Sequence, residues 1–384
     1  MRIIYLDNAA TTKPYPEVVK VFSRSMESNF GNPSATYAIG RSSKAVLEDC
    51  RKRISKILHV SPTEIIFTSG ATEANNLILQ SLVINHGIEH IITSKIEHHA
   101  VLNVILYLEK RYHLKITFLP FLENGTIDAT ILESELDKNS IDPSKTLVSL
   151  MHVNNETGAI LDLKKISDIT RKYNVLWHSD MVQSMGYYPI NFTETPVDFA
   201  SASAHKFHGT KSVGFAYISK STPLNPIFYG GEQERGVRPG TENISQVLAM
   251  TVALEKTYSE LSKRKEFILD LKNQLVTLLT DQLPQVCFNV GSNASISHKY
   301  SILNIRLPIL QENRKMLLFK LDMKGVQCSQ GSACQSGSFK ASHVLKEVLS
   351  LEDQKFVSLR ISLSEMNSKQ DIIDFVRILK EVLD

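Results

Sequence analysis

Lys206 lies at the end of a segment of small residues that reads Ser-Ala-Ser-Ala-His-Lys from position 201. A lysine with restricted access to water has a lowered pKa and can act as a nucleophile and a base. An ordinary solvated surface lysine is the alternative, but the run at 199–204 is too apolar to suit one. The segment therefore predicts a reactive amine.

Cys334 lies in a second segment with possible chemistry, Gly-Ser-Ala-Cys-Gln-Ser-Gly from position 331. Structural cysteines are usually buried among apolar residues, whereas a cysteine among small polar residues is more often accessible and reactive. The segment therefore predicts a loop that carries a reactive thiol. Cys328, which ends a predicted strand, is expected to be buried and structural.

The residues Phe-Thr-Ser-Gly-Ala-Thr-Glu at 67–73 are typical of a strand, a glycine turn and the start of a helix. Free backbone amides and the positive end of a helix dipole would bind a phosphate group there. Ordinary helix capping by Ser69 or Thr72 is the alternative interpretation.

Asp180 comes directly after a predicted buried strand, in Trp-His-Ser-Asp-Met-Val-Gln at 177–183. Such a carboxylate caps a helix, pairs with a neighbouring base, or holds the ring nitrogen of a heterocycle protonated. His98 and His99 follow another strand, and side-chain alternation predicts that at most one faces a site. A phosphate cradle, a ring acid, a reactive lysine and a thiol are together the parts of pyridoxal phosphate chemistry with a covalent cysteine step.

The elements that position these residues alternate between short β-branched runs and amphipathic stretches. Strands are predicted at 64–68, 90–93, 114–118, 146–153, 175–177 and 213–218, and helices at 74–82, 100–110 and 163–173. Strand–helix alternation predicts an α/β fold, with a mostly parallel sheet that is covered by helices on both faces.

After Thr241 the pattern changes and predicts one long helix over residues 241–282, which buries a stripe between two domains. Its leucine and isoleucine heptads are too few to favour a coiled coil. Strands at 301–306, 326–328 and 357–363 and a helix at 369–383 predict a smaller α+β domain. We expect a large domain at 15–255 and a small domain at 1–14 and 256–384.

Composition excludes several other classes of protein. The 384 residues are 42% hydrophobic and 22% charged with a net charge of +3, so neither disorder nor a nucleic-acid or membrane partner is indicated. Four cysteines are too few for a disulfide scaffold, and a reducing, cytoplasmic location is expected. No G-x-G-x-x-G motif follows a predicted strand, the segment at 209–212 lacks the glycine of a phosphate loop, and no metal site is predicted.

The ordered motifs resemble those of the cysteine desulfurases, NifS- and IscS-like enzymes of the class-V aminotransferase family and of pyridoxal-phosphate fold type I. The resemblance runs almost end to end, through the motifs that begin at Tyr5, Gly31, Thr68, Glu97, Met151, Asp180, Ser203, Arg238 and Gly331. It implies removal of sulfur from L-cysteine to give L-alanine and a persulfide on Cys334. It also implies a homodimer and transfer of sulfur to an iron–sulfur scaffold or another acceptor protein.

The resemblance assigns a role to each matching position. Lys206 is expected to hold pyridoxal 5'-phosphate and to move the Cα proton, and His98 to stack on the ring and to deprotonate the substrate thiol. Asp180 is expected at the ring nitrogen and Gln183 at the ring hydroxyl. The remaining expectations are phosphate contacts from Ala71, Thr72, Ser203, His205 and the other subunit's Thr241, substrate and cofactor contacts from Asn32 and Asn155, and pairing of Arg360 with the substrate carboxylate.

Three alternatives stay open at this point. The first is another enzyme of the same fold, a selenocysteine lyase or an amino-acid aminotransferase, although an aminotransferase has no use for Cys334. The second is a non-catalytic platform, which would be expected to lose Lys206, Asp180 or Cys334. The third is metal binding by Cys328 and Cys334, which needs more ligands than the segment supplies.

Overall fold

A computed structural model of the chain describes residues 2–138, 140–294, 297–330 and 342–384. Its strands, numbered in chain order, are β1 (Ile4–Tyr5), β2 (Ile65–Thr68), β3 (His90–Ser94), β4 (Lys115–Leu119), β5 (Thr146–Ser149), β6 (Leu176–Asp180), β7 (Phe199–Ser203), β8 (Gly214–Ile218), β9 (Cys287–Phe288), β10 (Ile302–Leu310), β11 (Val326–Gln327) and β12 (Phe356–Ser362).

The α-helices connect and cover these strands. They are α1 (Pro16–Ser28), α2 (Ala38–Leu58), α3 (Ala71–His86), α4 (His99–Tyr112), α5 (Ala129–Leu136), α6 (Leu163–Lys172), α7 (Ile244–Ser259), α8 (Leu261–Gln282), α9 (Arg314–Met323), α10 (His343–Val348) and α11 (Lys369–Leu383). None of the helices in the described part has the length and apolar composition that a bilayer crossing requires.

The large sheet confirms the predicted α/β class. Its strand order is β2-β8-β7-β6-β5-β3-β4, with β4, β3, β5, β6 and β7 parallel to one another and β8 antiparallel to both of its neighbours. Alternate residues of each strand face opposite sides, so that Phe67 and Trp177 face one core while Ile66 and Phe199 face another. Helices cover both faces, which is why the strands other than the edge strand β4 are almost continuously buried.

A separate hydrophobic core forms around the antiparallel strands β12, β10 and β9. It includes Ile4 and Leu6 from the start of the chain, because β1 pairs in parallel with β11. The distribution of the cores agrees with the division at 1–14, 15–255 and 256–384, whose boundaries stay a prediction.

The single long helix expected over residues 241–282 is wrong. The chain instead forms α7 and α8, separated at Glu260, whose φ of −110° and ψ of 12° are not helical. The cores explain this break, because Leu254 packs in the core of the large sheet whereas Ile268 and Leu275 pack in the core around β10. A single straight helix could not direct one apolar stripe into both cores.

The strand expected over residues 146–153 ends at Ser149. The backbone beyond it remains beside β6, since the amides of Leu150 and His152 donate to the carbonyl oxygens of His178 and Asp180. The amide of Met151 donates instead to the buried carboxylate of Glu97, at 3.0 Å. The chain therefore turns here towards the edge where the parallel strands end.

Candidate active site

A cavity of about 500 Å³ opens at the carboxyl ends of the parallel strands. This edge is where open α/β sheets bind their ligands, because the strands end there and helix N-termini point inward. The predicted site residues that line the cavity are Ala71, Thr72, His98, Asn155, Asp180, Gln183, Ser203, His205, Lys206 and Arg360. The structure thus brings together residues that are more than 280 positions apart in the chain.

Asp180 ends β6 and is only 4% exposed. Its Oδ1 accepts from the amide of Val182 at 3.0 Å, and its Oδ2 accepts from Asn75 Nδ2 at 2.8 Å. The two donors fix the direction of this buried carboxylate. The carboxylate can therefore hold a cationic ring nitrogen in the cavity.

A chain of buried donors lies behind Asp180. Because Asn75 donates through Nδ2, its Oδ1 accepts from His178 Nε2 at 3.1 Å, which places the His178 proton on that nitrogen. His178 Nδ1 then accepts from Ser149 Oγ at 2.9 Å. Burial lowers the pKa of His178 to about 4 and keeps the ring neutral. The sequence argument missed Asn75 and His178, and their only signal was polar side chains within otherwise apolar elements.

Lys206 lies just after β7, opposite the start of the chain. Its Nζ donates to the carbonyl oxygens of Ala9 and Ala10, at 2.6 and 2.9 Å. The Ala9 oxygen also accepts from Gln183 Nε2 at 2.9 Å. The amine is thereby held at the cavity wall, beside the carboxylate of Asp180 and the ring of His98.

The phosphate end of the predicted site is built from a turn and a helix N-terminus. Gly70 precedes α3 with a φ of 149°, a conformation that favours glycine, and the first turn of α3 contains Ala71 and Thr72. A Cβ on Gly214 would lie 2.8 Å from Gly70 Cα and 2.3 Å from the Ala202 oxygen, so glycine is needed for this close approach. Ser203 lies beside the same turn.

His205 lines the cavity beside Lys206. Its Nδ1 lies 3.2 Å from Thr11 Oγ1, and burial together with the charges of Lys206 and Lys211 lowers its pKa to about 4. The ring is therefore neutral near pH 7 and can direct one N–H into the cavity.

His98 caps α4, because its Nδ1 accepts from the amide of Ala100 at 3.1 Å. The neutral ring therefore carries its proton on Nε2, where it can donate into the cavity but cannot accept. Burial lowers the pKa of His98 and favours this neutral form. Taking a proton from a substrate thiol at Nε2 would require the contact with Ala100 to break.

Arg360 is in β12 and is 1% exposed. Its Nη2 donates to Asp7 Oδ1 at 2.7 Å, and its Nη1 donates to the Asn155 carbonyl at 2.8 Å. Glu156 lines the cavity nearby, and its carboxylate accepts from Ser342 Oγ. These contacts orient the guanidinium, which suits a bidentate carboxylate ligand.

Cys334 lies outside the described residues, within the segment 331–341. The described residues on both sides of that segment contact the cavity wall. Ser329 pairs with the backbone of Arg360, and Ser342 bonds to Glu156. Cys328, which was expected to be buried, is half-buried and packs against the second core, where burial raises the pKa of its thiol to about 12.

Asn32 and Thr241 are the predicted site residues that the structure leaves outside this cavity. They line a separate open pocket of about 370 Å³ together with Phe30. Phe30 is 72% exposed. Asn32 and Thr241 thus lie on the same surface, and the expectation that Thr241 acts from another subunit stays a prediction.

The expectation that at most one of His98 and His99 faces the site is wrong, because both line the cavity. His99 begins α4 after the strand has ended, so side-chain alternation no longer applies. Its ring lies 4.1 Å from that of His343, whose Nε2 donates to the Glu97 carbonyl at 2.8 Å. Among the described residues, no group of three or more potential metal ligands is seen.

The family model for class-V aminotransferases matches residues 4–375. A relative named cysteine desulfurase IscS, from Dictyoglomus turgidum, is 35% identical over 385 aligned residues and covers 100% of this chain and 95% of its own. The chain belongs to the cysteine desulfurase family.

Solved structures agree with this membership. A NifS-like protein superposes on this cysteine desulfurase with a TM-score of 0.89 and 31% identity, covering 100% of this chain and 99% of its own. SspA, solved in complex with cysteine, has a TM-score of 0.78 and 28% identity, covering 94% and 98% of the two chains. The fold and the enzyme class predicted from the sequence are thus confirmed.

Proposed function

We propose that this cysteine desulfurase uses pyridoxal 5'-phosphate and L-cysteine, and that Cys334 receives the sulfur. The observation that carries the proposal is one cavity with a fixed carboxylate at Asp180, an amine at Lys206, a helix N-terminus at Ala71 and a guanidinium at Arg360. This donor set matches a phosphorylated, protonated heterocycle that binds together with an amino acid. The bound cofactor supplies an electron sink for the substrate Cα.

Different residues of the chain bind different parts of the cofactor. We assign the ring nitrogen to Asp180 and the ring hydroxyl to Gln183. The first turn of α3 binds the phosphate group together with Ser203 and His205. In a homodimer, the partner subunit's Thr241 binds it as well. Lys206 binds the cofactor covalently and moves the Cα proton.

Substrate contacts come from the other side of the cavity. We assign the carboxylate of L-cysteine to the guanidinium of Arg360, and further contacts to Asn155 and the partner subunit's Asn32. His98 stacks on the ring and donates from Nε2, as its contact with Ala100 dictates.

Cys334 attacks the substrate sulfur as a thiolate. A sulfur–sulfur bond forms while the carbon–sulfur bond breaks, and the electron pair of the broken bond stays with the carbon skeleton, which leaves as L-alanine. Support comes from Ser329 and Ser342, because the residues on both sides of segment 331–341 contact cavity residues. The persulfide is then passed to an iron–sulfur scaffold or another acceptor protein, in the cytoplasm.

The proposal of a homodimer draws support from an exposed aromatic residue of the second pocket. Phe30, which lines this pocket, is 72% exposed. Asn32 and Thr241 line the same pocket as Phe30.

The test is incubation of the purified protein with L-cysteine in the absence of reductant. We expect L-alanine to form and the mass of the Cys334 peptide to increase by one sulfur. Lys206→Ala should give neither product, and Cys334→Ala should give no stable persulfide. Cys328→Ala is the matched control and should behave like wild type, because Cys328 packs against the second core and the pKa of its thiol is raised.

Alanine without sulfur on Cys334 would show that a different residue accepts sulfur. Faster turnover of selenocysteine than of cysteine would favour a selenocysteine lyase. A protein that takes up pyridoxal phosphate but forms neither product would contradict the proposed substrate.

A further inference from the structure

Lys299 is a buried amine close to the cavity but not part of its lining. Its residue is 2% exposed, and no carboxylate of the described residues pairs with it. A lysine in such a place is costly, because an ammonium loses its hydration there. Packing alone therefore does not explain why a lysine occupies this position.

The Lys299 side chain has two contacts. Its Nζ lies 3.5 Å from the centre of the Tyr187 ring, and it donates to Gln183 Oε1 at 3.1 Å. Either the charged or the neutral amine can make this donation. The contact therefore persists if Lys299 loses its proton.

Two hydrogen bonds, to the Ala9 carbonyl and from Lys299, together fix the Gln183 amide. The Ala9 carbonyl can only accept, so the amide nitrogen of Gln183 must face it, and the amide oxygen must face Lys299. Without a donor at position 299, the amide oxygen would be buried and unpaired, and the Gln183 amide would lose one of the two contacts that fix it.

The same carbonyl connects Gln183 to the reactive lysine. Ala9 accepts from Gln183 Nε2 at 2.9 Å and from Lys206 Nζ at 2.6 Å. A continuous row of contacts thus runs from Lys299 through Gln183 and Ala9 to Lys206.

The other groups that face Lys299 are largely cationic or neutral. Lys272 donates to its carbonyl oxygen at 3.2 Å. Burial, followed by the positive charges of Lys206, Arg264 and Arg360, lowers the pKa of Lys299 well below its usual value. The imidazole of His152 also lies close to Lys299, and its own burial together with the charge of Lys299 lowers the pKa of His152 to about 3.

We propose that Lys299 is a positioning residue: from behind the cavity wall it holds the Gln183 amide in one orientation and, through the shared Ala9 carbonyl, holds the Lys206 amine in place. The inference rests on the proposed function, because Gln183 and Lys206 are the residues assigned to the cofactor.

The test is Lys299→Met in the full chain, with two measurements other than turnover. Titration of cofactor-free protein with pyridoxal phosphate should give a dissociation constant about fivefold to tenfold above wild type, the effect of about one net hydrogen bond. The pH midpoint of the visible absorption of the bound cofactor should rise by about 0.5–1 unit. The midpoint rises because the Gln183 amide is no longer held in place. Its N–H donates to the ring oxygen and thereby disfavours the protonated form of the cofactor.

Two comparisons separate positioning from mere stability. Lys272→Met, which removes another buried amine, should leave both values within about twofold of wild type. In a Gln183→Ala background, Lys299→Met should cause little further change, because the residue that transmits its effect is gone. Lys299→Gln, which retains an N–H donor, should recover part of the wild-type affinity.

An unchanged midpoint and affinity in Lys299→Met would overturn the inference, as would an equal effect with and without Gln183. Lys299→Leu is the second apolar variant. If neither apolar variant folds while Lys272→Met does, Lys299 is structural and the inference is also overturned. Wild-type protein that takes up no pyridoxal phosphate would refute the proposed function itself, whereas the other outcomes leave it intact.

Discussion

Asp180 is fixed by a neighbour that a motif search does not single out. Asn75, on α3, donates to its buried carboxylate and in turn accepts from His178. A hydrogen bond to a buried charged group contributes about 1.5–3 kcal/mol. The strength of this contact makes Asn75 a testable part of the site.

We expect Asn75→Ala to lower kcat/KM for L-cysteine about tenfold to hundredfold, because Asp180 loses a donor that fixes its direction. Steady-state alanine formation measures the change. Asn76→Ala is the matched control on the same helix, since its amide contacts the Thr72 carbonyl and the Gln80 side chain but not Asp180. Equal losses in the two variants would contradict a role through Asp180.

Glu97 predicts a pH dependence of stability. Its Oε1 accepts from Ser94 Oγ and the Met151 amide, but burial raises the pKa of the carboxyl group to about 8. Between pH 5 and 8 the unfolded chain, with a pKa of about 4.3, has lost this proton while the folded chain keeps it. The free energy of unfolding should therefore fall by up to about 1.4 kcal/mol per pH unit as the pH rises.

Glu97→Gln keeps the acceptor oxygen and removes the titration. Urea unfolding of both proteins is measured at several pH values. Between pH 5 and 8, the free energy of unfolding of the variant should increase relative to that of wild type. Glu89→Gln, at an exposed position, is the control and should follow wild type. Parallel curves for Glu97→Gln and wild type would contradict the raised pKa.

Motifs predicted the residues that contact ligand better than the residues that hold them. Lys206 and Asp180 were found because small and charged residues stand out beside apolar strands, and Gln183 was assigned from the resemblance to the cysteine desulfurases. Asn75 and Lys299 were not found, because their functions depend on contacts with residues about 100 positions away or more. Local sequence patterns do not encode such contacts.

At the scale of elements, α2 fixes the strand that leads into the Gly70 turn. Arg51 forms a fully buried pair with Glu234, donates to the Ile65 carbonyl and lies over the Phe67 ring, while Glu234 accepts from the Phe67 amide. Removing one partner of a buried pair leaves the other charge without compensation.

We expect Arg51→Met to lower the free energy of unfolding by about 3–5 kcal/mol. Arg53→Met, two residues further along the same helix, should cost about 1 kcal/mol or less, because its pair with Glu255 is partly exposed. Urea unfolding at constant pH measures both. Similar losses would show that the pair with Glu234 does not hold β2.

Periodicity predicted most elements but not their junctions. The heptad spacing continues through Leu261, so no sequence signal marked the break at Glu260. The break follows from the positions of two separate cores. The second core is complete only when β1 pairs with β11, which brings residues 4–6 into it. Junctions are therefore properties of the assembled fold.

At the scale of the whole molecule, the proposed homodimer predicts that two inactive subunits restore one active site. Lys206→Ala and Thr241→Glu are each expected to be inactive as homodimers. The two variants are co-expressed, and mixed dimers are purified through two different tags. One of the two sites in each mixed dimer then combines wild-type Lys206 from one subunit with wild-type Thr241 from the other. About half of the wild-type activity should return.

The control is a mixture of the two separately purified homodimers, assayed before subunits exchange. No recovery in the doubly tagged dimer would mean that Thr241 acts within its own subunit.

The pairing of β1 with β11 also bears on how the enzyme is made. A ribosome produces Ile4 and Ala9 first, but Val326, which β1 needs as its partner, emerges about three hundred residues later. Such distant pairing is slow, because the entropy of closing the loop must be overcome before the contact is gained. Since Lys206 bonds to Ala9 and Ala10, the nascent large domain can form its sheet early but must wait for nearly complete synthesis before its active site exists. Maturation of the enzyme is thus a late event that the order of synthesis imposes.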